Sequence, residues 1–259
     1  MHIIITLCVL LLSSSAALAM PSSITVVADN WCPYNCEPDS EKPGYVIELI
    51  KAIYEPENIK VNYEIMPWTR AINATRDQKY TAIICAAKNE APDFVYPQRM
   101  VGVSIYKFYT RKDSDWTYQN TASLENVALG AVDGYSYNND IDAYLKHNRR
   151  DRARVQLVSG EFATEQNIRK LMAKRIDVML EDPNVVANSL LALDEKDSLR
   201  ASGRLDNPNP EQDNLYLAFS PNNPDAKALA AIFDRGLVRI RETGELERIM
   251  NRYGLEDWR

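Results

Sequence analysis

The chain has 259 residues and a formal charge of −6 at pH 7. That acidic balance argues against a nucleic-acid partner, because neutralising phosphates takes clustered Lys and Arg. The basic run Arg149, Arg150, Arg152 and Arg154 is interleaved with Asp151 and reads as a solvated helix end. With two histidines in all and no Cys/His spacing of a zinc site, neither metal nor cofactor is expected.

Residues 1–19 do not read as part of the fold. An apolar stretch from Ile3 to Leu12 is followed by Ser13–Ser15 and Ala17-Leu18-Ala19, the pattern of a signal peptide cleaved after Ala19. The apolar run is too short for a permanent span, which takes roughly 20 residues. Export to the periplasm follows as an expectation, with about 240 residues left to fold, enough for one large domain or two medium ones. Of the three cysteines beyond that point, Cys32 and Cys36 can close a small loop around Pro33-Tyr34-Asn35, and Cys85 reads as a buried thiol.

Ile24–Ala28 is a β-branched run and reads as a buried strand, with a polar, Pro-bearing loop from Asp29 to Pro43 behind it. Val46, Leu49, Ile50 and Ile53 fall at helical spacing. A strand over Val61–Ile65, a helix over Trp68–Thr75 and a strand over Ala82–Ala86 complete a β-α-β-α-β unit, the pattern of a parallel sheet. The alternation restarts with a strand at Val127–Val132, a helix at Ile141–Lys146, and a strand at Val155–Val158. A helix at Glu165–Ala173 and a strand at Asp177–Leu180 close this second unit. The strand-like segments Ser104–Thr110 and Leu215–Phe219 flank it and are the expected crossings between two α/β lobes, while Ala226–Met250, broken near Gly244, returns to the first. The expected division is 20–107 with 217–259 as the first lobe and 108–216 as the second.

Ligands of open α/β sheets bind beyond the carboxyl ends of the strands. That rule selects Asp29–Tyr34, Pro67–Arg70, Cys85–Lys88, Gly134–Tyr137 and Glu181-Asp182, five segments that two facing lobes would gather around one cleft. Hinge closure would bury a small molecule there.

The order and spacing of several segments resemble the family 3 extracellular solute-binding proteins, best known as polar amino-acid receptors of ABC transporters. They are Asn30-Trp31-Cys32-Pro33-Tyr34, Gly44–Leu49, Leu124–Gly130, Arg175–Asp182, Leu215–Ser220 and Gly244–Gly254. Pro67-Trp68-Thr69-Arg70-Ala71 is similar to a subgroup that often lacks an obvious transporter partner. The resemblance implies a monomeric type II periplasmic binding protein fold with two crossing strands as hinge. It implies a small polar ligand and either an inner-membrane permease or a membrane sensor as partner.

The resemblance also implies roles for single residues. Trp31 and Trp68 would be opposed aromatic walls, suited to apolar or cationic groups, or else core packing. Asp182 stands where amino-acid receptors hold the ligand ammonium, and the sequence Asp-Pro equally fits a helix N-cap. Ser136, between Tyr135 and Tyr137, matches the turn that receives a ligand carboxylate. Tyr34 and Cys85 complete the expected contacts. One departure stands out: the segment after the third strand, Cys85–Phe94, lacks the Arg that grips an α-carboxylate in such receptors. Lys88 or Arg70 would have to substitute, or both are solvated charges. Catalysis by Glu181 or Asp182 with Lys88 is a weaker reading, because only fold-level analogy supports it.

Overall fold

The computed structural model describes residues 20–258, so the expected signal peptide lies outside the described residues. Two five-stranded sheets make the two lobes, each flanked by helices.

The first sheet contains β1 (Ser23–Ala28), β2 (Lys60–Ile65), β3 (Ala82–Ala86), β4 (Gly102–Val103) and β10 (Asn214–Phe219), in the order β2-β1-β3-β10-β4. β1 pairs in parallel with both β2 and β3, and β10 runs antiparallel to β3. Helix α1 (Tyr45–Tyr54) buries Val46, Leu49, Ile50 and Ile53, each stabilising the lobe by about 1.5–3 kcal/mol through lost apolar exposure. That face packs on α6 (Ala226–Glu242), where a Cβ at Gly236 would collide with Ile53. The Tyr54 hydroxyl donates to the Leu229 carbonyl at 2.8 Å. Helix α2 (Trp68–Arg76) follows β2, and α7 (Glu245–Arg252) follows α6 across Gly244, whose φ of 73° is open to glycine at little cost.

The second sheet contains β5 (Lys107–Arg111), β6 (Leu129–Val132), β7 (Val155–Val158), β8 (Val178–Glu181) and β9 (Leu199–Arg204), in the order β7-β6-β8-β5-β9. Helices α3 (Asn139–Asn148), α4 (Ala163–Met172) and α5 (Pro183–Ala192) accompany it. Strand β9 was not anticipated. Its sequence Leu-Arg-Ala-Ser-Gly-Arg has little apolar alternation, and it lies at the sheet edge with one fully buried residue, Ser202.

The first crossing falls inside its expected segment and the second does not. Ser104–Thr110 is not one strand: β4 ends at Val103 and β5 begins at Lys107, which pairs with Glu181 and Arg204 of the second sheet. Leu215–Phe219 is wholly inside the first sheet. The chain therefore crosses at 104–106 and returns at 205–213. These two segments hydrogen-bond to each other, Ser104 N to the Asp213 carbonyl at 2.8 Å and Leu205 N to the Tyr106 carbonyl at 2.9 Å.

Strand β3 carries an irregularity. Cys85 has φ 61°, a left-handed conformation rare for a residue with a side chain, and the register with β10 slips between Tyr216 and Ala218. The bulge sits at the carboxyl end of β3, facing the junction of the lobes.

Candidate functional site

The junction is built from loops at the carboxyl ends of β1 and β3 on one side and of β6 and β8 on the other. After β1 the chain forms a tight loop closed by a Cys32–Cys36 disulfide, leaving Cys85 as a buried free thiol. Gly44, at φ 108°, lets α1 start directly against this loop, since a Cβ there would strike the Tyr34 carbonyl and the Asn35 backbone. The loop is thus held rigidly, with Trp31 stacked on Tyr34 at 4.3 Å between ring centroids.

Four hydrogen bonds to carboxylates cross the junction. Trp31 Nε1 donates to Glu181 Oε1 at 3.0 Å, and the Tyr34 hydroxyl to Asp182 Oδ2 at 3.0 Å. In the opposite direction the Tyr135 hydroxyl donates to Asp29 Oδ2 at 2.5 Å, and Ser136 N to Glu90 Oε1 at 3.1 Å. Glu90 also accepts from Trp68 Nε1 at 3.2 Å and Ala87 N at 2.9 Å, and Glu181 from Thr164 Oγ1 and Asp182 N.

None of these four carboxylates belongs to an ion pair among the described residues. Burial without a cation disfavours the charged form. It raises Asp29 to about 7, Glu90 and Glu181 to about 8, and Asp182 to about 6, against the partial relief of their hydrogen bonds. Burial also pushes the Cys85 thiol well up, which disfavours the thiolate.

At the centre is a cavity of about 20 Å³, room for one water. Asp29, Trp31, Asn35, Trp68, Cys85 and Glu90 line it from the first lobe, Tyr135 and Ser136 from the second, and Ser104, Tyr106, Gln212 and Asp213 from the crossings. The two indoles do not face each other across open space. The Tyr135 ring stands edge-on to both, with centroids 6.4 Å from Trp31 and 6.4 Å from Trp68.

The residues singled out from sequence are placed as follows. Trp31, Trp68, Cys85, Tyr135 and Ser136 reach the cavity, and Tyr34 lies directly behind Trp31. Tyr137 is buried in the second lobe, where its hydroxyl accepts from Val132 N. Asp182 caps α5, one oxygen accepting from Asn184 N and Val185 N and the other from Ser104 Oγ and Tyr34. Lys88 is exposed, its Nζ 4.6 Å from the centre of the Tyr216 ring. Arg70 is exposed too, in a separate groove of about 500 Å³ bounded by α2, Asp133 and Ser159-Gly160. Sequence reasoning did not single out Asn35, Glu90, Ser104 or Asp213. Asp29 and Glu181 fell inside segments that the strand-end rule selected.

Because Asp182 satisfies four donors, its removal affects folding before binding. Asp182→Ala is expected to destabilise the protein by ~3 kcal/mol, from the lost cap and the orphaned donors, and to lower Tm by ~6–12 °C. Thermal melts of Asp182→Ala and the milder Asp182→Asn check this, and equal melts for wild type and the alanine variant would contradict it.

A sequence model for bacterial extracellular solute-binding proteins, family 3, matches residues 24–256. A search of curated protein sequences returns no match. Among solved structures, the chain is similar to an ancestral arginine-binding protein bound to glutamine, with TM-score 0.73 and 15% identity over 92% of this chain and 100% of that one. It is also similar to a histidine kinase sensor domain with similarity to periplasmic binding proteins, with TM-score 0.70 and 19% identity over 92% and 99%. A third is an amino acid ABC transporter substrate-binding protein from Streptococcus pneumoniae bound to L-arginine, at TM-score 0.69 and 16% identity over 91% and 97%. At these identities the structures show a shared fold. The sequence match spans nearly all the described residues, and the chain belongs to family 3 of the bacterial extracellular solute-binding proteins.

Proposed function

We propose that this protein is a periplasmic receptor that closes its lobes on a small polar solute and presents it to an ABC-type permease in the inner membrane. The observation that carries this reading is the junction itself, a small cavity whose wall is shared by both lobes and by both crossings. Its hydrogen bonds run from one lobe to the other, so a solute seated there is held only when the lobes are closed. Sequestration without turnover is the expected outcome. No G-x-S-x-G elbow is present, and burial disfavours the Cys85 thiolate. Tyr135 fills the space between the indoles, and the solute takes that space when it binds.

A test begins with mass spectrometry of the molecule released from the purified protein by mild denaturation, followed by calorimetry with that molecule. Trp68→Ala removes one wall and the donor to Glu90, and binding is expected to weaken at least ~100-fold, about 2.7 kcal/mol. Unchanged affinity would take Trp68 out of the site. A second reading, ligand presentation to a membrane signalling protein, is favoured by the likeness to the histidine kinase sensor domain. It shares the binding chemistry, and copurification with a permease or with a receptor kinase separates the two.

A further inference from the structure

The wall of the central cavity carries the carboxylates Asp29, Glu90 and Asp213 and no Lys, Arg or His. Asp29 is buried and Glu90 half-buried, and neither belongs to an ion pair among the described residues. A ligand carboxylate placed here would meet no guanidinium or ammonium, and ionising either acid beside it would add like charge away from water. A ligand cation would meet acceptors instead.

A separate observation points the same way. Asn35 is 1% exposed and lines the cavity. Its Nδ2 is spent on the Asp29 carbonyl at 2.7 Å, and its Oδ1 has no hydrogen-bond partner. A buried acceptor left unpaired costs about 1–3 kcal/mol, and an N–H donor in the cavity would satisfy it. Much of the remaining wall is aromatic or aliphatic. Trp31, Trp68 and Tyr106 line it, and an aromatic ring attracts an ammonium at its face once water is excluded. Serine hydroxyls at Ser104 and Ser136 add acceptors and bring no charge of their own.

Resting on the receptor reading above, we propose that the cleft selects an organic ammonium ion that carries no carboxylate, a small alkyl amine or diamine. In this arrangement Glu90 and Asp29 are the counter-charges and Asn35 Oδ1 is a neutral acceptor. The first-lobe anchor of an α-carboxylate is replaced by acid, and the exposed Lys88 and Arg70 stay outside the cavity.

The test is a set of pairs that differ by one α-carboxylate: 1,4-diaminobutane against ornithine, 1,5-diaminopentane against lysine, and butylamine against norvaline. Calorimetry is run on the full mature protein after endogenous ligand has been removed by unfolding and refolding. The amine is expected to bind at least ~10-fold tighter than its carboxylated counterpart, about 1.4 kcal/mol. Glu90→Gln, which keeps the shape, should weaken the tightest amine by a similar factor. Asp213→Asn, at the half-buried rim, provides a second variant should the first fail to fold. Tighter binding of ornithine, lysine or norvaline would overturn the proposal and leave the receptor reading standing. Binding of none of the six would also overturn it, and the receptor reading would then be judged by the molecule that copurifies.

Discussion

Gly134→Val is expected to abolish ligand capture while both lobes stay folded. Gly134 lies in the turn after β6 at φ 91°, and a Cβ built there runs into the Thr69 hydroxyl and comes within 3.8 Å of Trp68 Cδ1. Both contacts belong to the other lobe, so the added atoms obstruct the approach of the lobes and leave the packing inside each one alone. Two costs add up. A side chain at this φ carries about 1–3 kcal/mol of backbone strain, which lowers Tm by a few degrees. The obstruction then raises the free energy of the closed state relative to the open one, and affinity falls with the closed population. A loss of ~100-fold or more in Kd is expected. Gly134→Ala tests the same contact more gently, because Thr69 can rotate its hydroxyl away. Combining it with Thr69→Ala removes the opposing atom and should recover most of the lost affinity. If the double variant binds no better than Gly134→Ala alone, the effect is backbone strain and the interlobe contact is not the gate.

How much of this was legible beforehand depended on whether the signal was periodic. Helix α1 was readable because Val46, Leu49, Ile50 and Ile53 repeat at helical spacing, and the structure buries all four. Strands β1 and β3 were readable because β-branched and apolar runs bounded by polar loops fit largely buried strands. The strand-end rule drew attention to Trp31, Trp68, Tyr135 and Ser136, which do reach one cavity. Charged groups were less legible. Glu90, in a polar loop, reads like any solvated carboxylate, and only the folded arrangement shows it beneath Trp68 and against the Ser136 amide. Asn35 has no sequence signature at all; its position follows from the Cys32–Cys36 loop that turns it inward. The break between β4 and β5 was hidden as well. Ser104–Thr110 alternates like a strand, and the change of sheet within it is decided by pairing with Asp213, Arg204 and Glu181 far along the chain.

The buried acids give the second large expectation, an opposite pH dependence for stability and for affinity. Asp29, Glu90, Glu181 and Asp182 all titrate above their ordinary values because burial penalises the charge, at about 7, 8, 8 and 6. Between about pH 4 and 8 the closed protein therefore holds more protons than the unfolded chain. Stability changes with pH as the unfolded minus the native proton count, so that difference is negative. The stabilisation is fully present only below about pH 4 and is lost progressively as pH rises to about 8. Without ligand, Tm at pH 5.5 should exceed Tm at pH 8.5 by ~5–10 °C, and the lobes should open as the acids ionise, with a larger radius of gyration by small-angle scattering. An ammonium ligand reverses the trend, because it binds the ionised acids and expels their protons. Its affinity should rise from pH 5.5 to pH 8. Calorimetry at pH 7 in buffers of different ionisation enthalpy should register proton release on binding. Affinity that falls over the same interval would mean that the acids act as proton donors to a neutral or anionic solute.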